Sequence, residues 1–276
     1  MSPKIRLGSV NYLNCRPLVH GLGGDSDPHF TLRFDPPSHC AALLDAGEID
    51  LGLIPTIAYG DRAGDCIVPG VAIASEGPVA SVALFTRTPV SRIRSIALDT
   101  SSRTSVALTR ILCARRFGIA PAFAPHAPDL ATMLAQYDAA LVIGDPALLV
   151  DHRAMGGGEV EKIDLGQVWT EMTGLPFVWA FWAGRADAMS PAAVRRLQDA
   201  KDAGVRISDA LADAYVSGTP QYRDLARRYL RENIRFDLTD RMLDGLRTYY
   251  REAASLGVIA SVPEPQFFAG DAVARS

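Results

Sequence analysis

The alternation of strand and helix signals in the first third of the sequence limits the fold more than any other feature. Residues 5–10 have the apolar pattern of a strand and lead into a turn that contains Asn and Pro. A helix is predicted over residues 38–44, with Ser38 as its N-cap and Gly47 just beyond its end. Residues 48–55 then have the pattern of a short buried strand that ends at a proline. Strand, helix and strand in this order predict a mostly parallel sheet in an α/β protein.

A second run of alternating signals begins in the middle of the chain. Apolar runs typical of strands occur at residues 79–85, 93–98 and 139–143. A helix with one apolar face is predicted over residues 104–117, and Gly118 is its expected stop. The middle third is therefore predicted to form a second α/β lobe.

The last third of the sequence is predicted to be helical. Ser190 is a good N-cap, and Pro191 suits the first helical position of a helix that continues to about residue 216. Further helices are predicted at about residues 220–231 and 239–255. Because no strand long enough to build another sheet separates them, we expect these helices to pack onto the first lobe.

The order of these elements predicts a chain that crosses twice between two lobes, near residues 85–88 and 177–184. The first lobe, residues 1–86 plus 183–276, is discontinuous, and the second lobe, residues 87–182, is inserted into it. This arrangement is a hinged clamshell with its ligand cleft between the lobes. Ligands of such folds bind at the carboxyl ends of strands and the amino ends of helices, where unpaired N–H groups favour anions.

Composition and charge exclude several classes of protein. The net charge of -3 and the pI near 6.0 give no broad positive field to hold a nucleic acid. The N-terminus lacks the apolar stretch of a signal peptide, and no run approaches the roughly 18 apolar residues of a membrane helix. We therefore expect a soluble, cytoplasmic protein without a nucleic-acid or membrane partner, and the sequence leaves its oligomeric state open.

Cysteine and histidine spacing argues against metal and disulfide chemistry. The four cysteines are too far apart in sequence for a Cys-x-x-Cys pair, and the five histidines lack spacing such as His-Glu-x-x-His. The sequence predicts reduced thiols and no metal. Cys15 is a weak candidate nucleophile, because no histidine forms a recognisable sequence motif with it that would activate it.

The opening turn is the clearest candidate for a functional segment. Asn-Tyr-Leu-Asn at residues 11–14 directly follows the first predicted strand, so it should lie at the edge of the cleft. Its side chains can donate and accept hydrogen bonds. The alternative is a turn in which an Asn side chain merely bonds its own backbone.

A second candidate is the polar segment at residues 99–105, where five hydroxyl residues surround Arg103 between a strand and a helix. Hydroxyl groups and helix N–H groups together can hold a carboxylate. The alternative is a heavily capped helix with one arginine facing solvent. The glycines and lysine of a Walker phosphate loop are missing.

Three further positions have two interpretations each. Ser38 either caps its helix or also contacts a ligand. Ser81, at the start of a predicted strand, either bonds within the strand or faces the ligand. Asp145, after Gly144 at another strand end, is either a general base or a turn cap.

Taken in order, these segments resemble the chorismate dehydratases of the futalosine route to menaquinone. The resemblance covers nearly the whole chain, and its order and spacing are more specific than any single piece. The matching segments are residues 9–14, 16–18, 37–38, 47–50, 68–70, 77–82, 97–105, 143–148, 164–166, 173–178 and 233–236.

The resemblance implies a type II periplasmic-binding-protein-like fold, with mixed sheets flanked by helices and a ligand cleft between the lobes. It also implies a reaction. Chorismate would lose its ring C4 hydroxyl and its C3 proton as water, giving the aromatic 3-[(1-carboxyvinyl)oxy]benzoate. That activity is a carbon–oxygen lyase that needs no cofactor, because aromatisation supplies the driving force.

The resemblance also suggests roles for individual residues. Asn14 and Ser81 are the expected catalytic residues, and Asn11 is expected to support them in binding the substrate. The substrate carboxylates are expected at hydroxyl groups, with Gly144 and Asp145 lining the floor. The expected hydroxyl contacts are Ser101, Ser102, Thr104 and Ser105 for one carboxylate, and Ser38 and Ser81 for the other carboxylate or the substrate hydroxyl.

Three alternatives remain at the level of sequence. A 1,4-dihydroxy-6-naphthoate synthase-like enzyme of the same pathway would share the fold, but the Asn-Tyr-Leu-Asn turn favours the dehydratase. A solute-binding protein for a small carboxylate would also share the fold, although no signal peptide is evident. A ligand-sensing regulatory domain is less consistent, because no helix-turn-helix segment flanks the lobes.

Overall fold

The computed structural model describes residues 3–25, 27–62, 64–157 and 159–269, apart from the side chains of residues 37, 38, 156 and 157. These residues form two five-stranded sheets flanked by helices. The strands, in chain order, are β1 (Ile5–Ser9), β2 (Phe30–Phe34), β3 (Leu51–Pro55), β4 (Asp65–Ser75), β5 (Val82–Thr86), β6 (Ser95–Asp99), β7 (Ala122–His126), β8 (Ala139–Ile143), β9 (Glu161–Asp164) and β10 (Phe177–Arg185).

The helices surround both sheets. In chain order they are α1 (Pro37–Asp45), α2 (Arg103–Leu112), α3 (Leu130–Gln136), α4 (Asp145–Leu149), α5 (Leu165–Thr173), α6 (Pro191–Arg206), α7 (Ser208–Tyr215), α8 (Arg223–Arg228) and α9 (Asp240–Ser255). Short 3₁₀ segments lie at Leu13–Val19, Thr56–Asp61, Val90–Arg92, His152–Gly157 and Pro220–Tyr222. One π-helical turn continues α2 at Cys113–Phe117, and another continues α8 at Tyr229–Asn233.

The two sheets have the same design. The strand order is β2-β1-β3-β10-β4 in the first sheet and β7-β6-β8-β5-β9 in the second. In each sheet three strands run parallel, and one strand (β10 or β5) pairs antiparallel with its neighbours on both sides. The α/β fold with mixed sheets is confirmed.

The chain passes from one sheet to the other at points that differ from the predicted lobe limits, which lie between residues 86 and 87 and between residues 182 and 183. The strand β5 pairs with β8, from Val82 opposite Ile143 onward, so it lies in the second sheet. The strand β10 pairs with β3 and therefore lies in the first sheet. The apolar pattern predicts β5 as a strand but not its hydrogen-bonding partners, and it predicts residues 177–184 only as a passage between the lobes. The division into two lobes stays a prediction.

Several predicted helix limits also change. The helix expected from 190 to 216 is two helices, because Ile207 leaves the helical conformation with φ -114° and ψ 25°. Ser190 caps α6 as predicted, and its hydroxyl accepts the Ala193 N–H at 3.2 Å. The helix α1 begins at Pro37, so Ser38 lies inside it rather than at its N-cap. The proline fits there because its fixed φ suits the first helical position.

The C-terminal helices pack onto the first sheet as expected, and α9 also reaches the second lobe. The helix α6 packs on the 3₁₀ helix Leu13–Val19 so closely that a Cβ at Gly204 would lie 2.1 Å from the Pro17 carbonyl oxygen. The Tyr249 hydroxyl on α9 donates to the Thr104 carbonyl oxygen of α2 at 3.0 Å. No helix in the described ranges is both long and apolar enough to cross a membrane.

Candidate active site

A cavity with an open mouth lies between the two sheets, at the carboxyl ends of their parallel strands. Among the described residues, no charged side chain lines it. Its lining residues are Val10, Tyr12, Asn14, Cys15, Leu53, Pro55, Ile73, Val79, Ser81, Val82, Ser102, Ser105, Ile143, Gly144, Trp179 and Ala180.

The opening turn contributes one of its two asparagines to the cavity. Asn14 lines it, and its carboxamide oxygen faces the Cys15 thiol at 3.4 Å. Asn11 is exposed and does not line the cavity; its carboxamide oxygen accepts a hydrogen bond from the Arg16 guanidinium. The structure thus brings Asn14 to the site and leaves Asn11 outside it.

The cavity wall opposite this turn carries Ser81, which is buried. Its hydroxyl oxygen accepts a hydrogen bond from the Tyr229 hydroxyl at 2.8 Å. Its carbonyl oxygen accepts the Gly144 N–H at 2.7 Å, and its own N–H donates to the Val79 carbonyl at 2.8 Å. Each polar group of Ser81 is therefore engaged, and its hydroxyl has a proton left to donate.

Sequence analysis missed Tyr229, which lies among the arginines of the α8 segment. Burial raises its pKa well above the ordinary value, while hydrogen bonds with Ser81 and Asn14 oppose the shift. The side chain is therefore a neutral donor at physiological pH. Apolar spacing marks Tyr229 as a buried residue, but no local signal connects it to Ser81, 148 positions earlier.

The N-terminus of α2 supplies two of the four predicted carboxylate contacts. Ser102 is the N-cap, and its hydroxyl oxygen accepts the Ser105 N–H at 3.3 Å. The two hydroxyl oxygens of Ser102 and Ser105 lie 3.0 Å apart, and both residues line the cavity. Neutral donors at a helix N-terminus suit an anion, because the backbone N–H groups and the helix dipole favour negative charge.

The other two residues of this group lie outside the cavity lining. The Thr104 hydroxyl oxygen accepts the Ile57 N–H at 3.2 Å and lies 3.3 Å from the Thr56 hydroxyl, so it joins α2 to the 3₁₀ segment Thr56–Asp61. Ser101 donates its N–H to Asp99 at 2.8 Å, and its buried hydroxyl has no hydrogen-bond partner among the described residues. The helical turn separates them from Ser102 and Ser105, which face the cavity.

Gly144 and Asp145 follow β8 but differ in position. Gly144 lines the cavity with a φ of 69°, and a Cβ there would lie 2.8 Å from the Tyr12 ring. Asp145 lies beside the cavity. Its carboxylate accepts the Leu13 N–H at 3.3 Å and a hydrogen bond from the Tyr215 hydroxyl. Burial raises the pKa of Asp145, and this carboxylate joins the opening turn to α4 and α7.

Two other predicted candidates have different outcomes. Burial raises the pKa of Cys15 to about 12, so its thiol stays protonated and is a poor nucleophile. The Ser38 side chain lies outside the described part of the structure, and its contact with a ligand stays a prediction. Across the described residues, no group of three or more His, Cys, Asp or Glu side chains is placed to hold a metal ion.

An aromatic wall closes one side of the cavity. Trp179 on β10 donates its indole N–H to the Ser75 hydroxyl at 3.0 Å. Its ring centroid lies 4.3 Å from that of Phe177. This anchoring fixes the indole, which offers a flat apolar surface to a ring-shaped ligand.

The fold places the chain in the class of periplasmic-binding-protein-like proteins. It is similar to the alkanesulfonate-binding protein of Xanthomonas axonopodis pv. citri, with a TM-score of 0.68, 17% identity and 96% of each chain covered. It is also similar to the periplasmic aliphatic sulphonate binding protein of Escherichia coli, with a TM-score of 0.62, 15% identity, and 100% of this chain and 97% of that chain covered. At these identities the likeness shows the fold alone.

The sequence comparison defines the family. Residues 5–255 match the family model described as menaquinone biosynthesis. The chain is also 31% identical over 268 residues to the chorismate dehydratase of Thermus thermophilus, with 91% of this chain and 95% of that protein covered. The chain belongs to this menaquinone biosynthesis family.

Proposed function

We propose that the protein is a chorismate dehydratase, which removes water from chorismate to give 3-[(1-carboxyvinyl)oxy]benzoate in menaquinone biosynthesis. The observation that most strongly supports this proposal is the 31% identity over 268 residues to a chorismate dehydratase. The cavity supports it, because Asn14, Ser81, Ser102 and Ser105 line a single site. We propose a cytoplasmic location for this small-molecule enzyme.

The substrate would be held by neutral donors on one side and by apolar surface on the other. The Ser102 and Ser105 hydroxyls, with the α2 N-terminus, are suited to a carboxylate. The Trp179 indole would cover a face of the ring. Binding through neutral donors leaves the carboxylates charged without a salt bridge, so they keep their capacity to accept a proton.

The elimination breaks the C3–H bond and the C4–O bond of the ring. The C3 proton is acidic because the resulting charge is conjugated with the ring carboxylate. Electrons from the C3–H bond then form the last double bond of the aromatic ring as the hydroxyl leaves C4. The departing hydroxyl receives, by way of the proton acceptor, the proton removed from C3 and is released as water, so no net proton is gained or lost.

Proton transfer is the step that the lining side chains constrain most. Asn14 is a poor base, and the described lining carries no carboxylate, histidine or lysine. We therefore assign the proton acceptor to the substrate's own enolpyruvyl carboxylate, which lies near C3. Asn14 would orient that carboxylate or the leaving hydroxyl, and Ser81 would donate its hydroxyl proton to the same part of the substrate.

Incubation of the purified protein with chorismate tests the proposal. We expect loss of the diene absorbance and a product lighter than chorismate by one water. Chorismate that is bound and released unchanged would instead identify a solute-binding protein. Turnover of a different substrate to a dihydroxynaphthoate would identify the other enzyme of the route.

A further inference from the structure

The backbone just before Ser81 is strained. Ala80 has a φ of 62°, and it is the one non-glycine residue with a positive φ in the described ranges. The Ser81 N–H bonds back to the Val79 carbonyl at 2.8 Å, which closes a three-residue γ-turn around Ala80. A γ-turn with positive φ at its central residue is rare, because the Cβ crowds the backbone. Strain of this kind persists only where surrounding contacts enforce it.

Two charged residues of β9 supply those contacts. Asp164 accepts the Val79 N–H at 3.0 Å with one carboxylate oxygen and the Ala80 N–H at 2.6 Å with the other. The Lys162 ammonium donates to the Ala80 carbonyl at 2.7 Å and to the Ala147 carbonyl at 2.7 Å. Both peptide groups of Ala80 are therefore fixed from the same edge strand.

The cost of burying these charges indicates that they have a specific role. Burial lowers the pKa of Lys162 and raises the pKa of Asp164, so the environment disfavours the charged form of each side chain. Neither side chain lines the cavity. Apolar residues in their place could not bond the two peptide groups of Ala80. Asp164 also caps α5, where its carboxylate accepts the Gln167 N–H at 3.0 Å. The bonds of the two side chains thus hold the turn and the start of α5 rather than a ligand.

We propose that Asp164 and Lys162 are positioning residues that hold Ala80 in the left-handed conformation, so that the Ser81 hydroxyl meets Tyr229 and faces the cavity. The proposal rests on the dehydratase function for its activity measurement. Asp164 and Lys162 act through the turn, and Ser81 is the group that meets the substrate.

The first test compares Asp164→Asn with a matched control. Asparagine has one acceptor oxygen, so it cannot accept both turn N–H groups. Asp27→Asn is the control, because Asp27 is buried and accepts the N–H groups of Gly23, His29 and Phe30 at 3.0, 2.9 and 3.1 Å, but does not line the cavity. We expect kcat to fall by about threefold or more in Asp164→Asn, with a smaller change in KM, and to stay near wild type in Asp27→Asn.

A smaller fall in kcat, or an equal fall in both variants, would overturn the proposal. If Asp164→Asn does not fold, Lys162→Met replaces it in the same comparison, because it removes only the donor to the Ala80 and Ala147 carbonyls. We again expect kcat to fall by about threefold or more in Lys162→Met and to stay near wild type in Asp27→Asn.

The second test is a rescue. Glycine adopts a positive φ without the Cβ penalty. In the Asp164→Asn background, Ala80→Gly should therefore raise kcat by about twofold or more, with no such gain in the Asp27→Asn background. Absence of that gain overturns the proposal, since a purely structural loss at Asp164 would not be repaired at residue 80.

Failure of the proposed function is recognised separately. If the wild-type protein does not convert chorismate, a crystal structure of Asp164→Asn gives the readout instead. Residue 80 at negative φ, with Ser81 turned from Tyr229, supports the positioning role. An unchanged turn overturns it.

Discussion

The cavity is walled by two turns that are held in different ways. The opening turn, residues 11–14, follows β1, and its Asn14 carboxamide contacts the Cys15 thiol at 3.4 Å and the Tyr229 hydroxyl. The Ser81 turn, residues 79–81, has a strained backbone, and its polar groups are bonded by residues far away in sequence. The difference indicates that a strained backbone orients Ser81 before the substrate arrives, whereas Asn14 is placed without a positive φ in its own turn.

The largest effect is expected from Asn14→Ala. Loss of a well-placed polar group at a reacting centre lowers kcat by about 10²–10³-fold. Loss of the contacts with the Cys15 thiol and the Tyr229 hydroxyl should lower the melting temperature far less than it lowers kcat. Steady-state turnover of chorismate measures this, with Asn14→Asp as the second variant. Unchanged kcat in both variants would exclude Asn14 from catalysis.

The next effect concerns Gly144, where the two turns meet. Its N–H bonds Ser81, and an added Cβ would lie 2.8 Å from the Tyr12 ring at a φ of 69°. We expect Gly144→Ala to lower the free energy of unfolding by about 2–3 kcal/mol, from backbone strain and overlap together.

Gly118→Ala is the reference for that measurement. Gly118 has a φ of 64° and a ψ of 33°, with nothing within 4 Å of an added Cβ. This left-handed conformation predicts a loss of about 1 kcal/mol, whereas the ψ of -152° at Gly144 is adopted readily by glycine alone. Equal losses in denaturant unfolding of the two variants would show that neither the ψ of Gly144 nor its contact with Tyr12 adds to the cost of a positive φ.

A smaller effect is expected from Tyr229→Phe, which removes the donor to Ser81. A freed Ser81 hydroxyl should lower kcat by roughly tenfold, equivalent to about 1.4 kcal/mol. Tyr249→Phe is the control, because its buried hydroxyl donates to the Thr104 carbonyl at 3.0 Å, away from Ser81. Equal kcat in the two variants would contradict a role for Tyr229 in orienting Ser81.

The smallest effect is expected from Asp145→Asn and depends on pH. Burial raises the pKa of Asp145 in the folded protein, against hydrogen bonds from Tyr215 and Leu13. Its contribution to stability is therefore present below the ordinary carboxyl pKa and is lost as the pH rises through the raised value. Asparagine does not ionise, so the melting temperature of Asp145→Asn relative to wild type should rise as the pH increases from below the ordinary carboxyl pKa through the raised pKa of Asp145.

Asp27→Asn should show the opposite sign. Burial alone would raise the pKa of Asp27, but its backbone hydrogen bonds lower it overall. Its stabilisation is present above the ordinary carboxyl pKa and is lost as the pH falls through the lowered value. The melting temperature of Asp27→Asn should therefore lie below that of wild type at neutral pH, and the difference should become smaller as the pH falls. The same pH trend in both variants would refute the opposite pKa directions of Asp145 and Asp27.

The sequence predicted the interior of each sheet better than its edges. The predicted strands correspond to β1, β3, β5, β6 and β8, which have a neighbour on both sides. The unpredicted strands β2, β4, β7 and β9 are the four sheet edges. Interior strands are buried on both faces and form apolar runs, whereas an edge strand tolerates interruptions such as Pro69 in β4 and Pro125 in β7.

The residues of the site also fall into those that the sequence predicted and those that it did not. The sequence by itself placed Asn14, Ser81, Ser102, Ser105 and Gly144 at strand ends and helix starts, and all five line the cavity. Only the tertiary structure revealed Tyr229 and Asp164, and only it separated Asn11 from Asn14. The reason is physical. Local pattern determines where a strand or helix ends, but hydrogen bonds between residues 80 to 150 positions apart exist only after both sheets have formed.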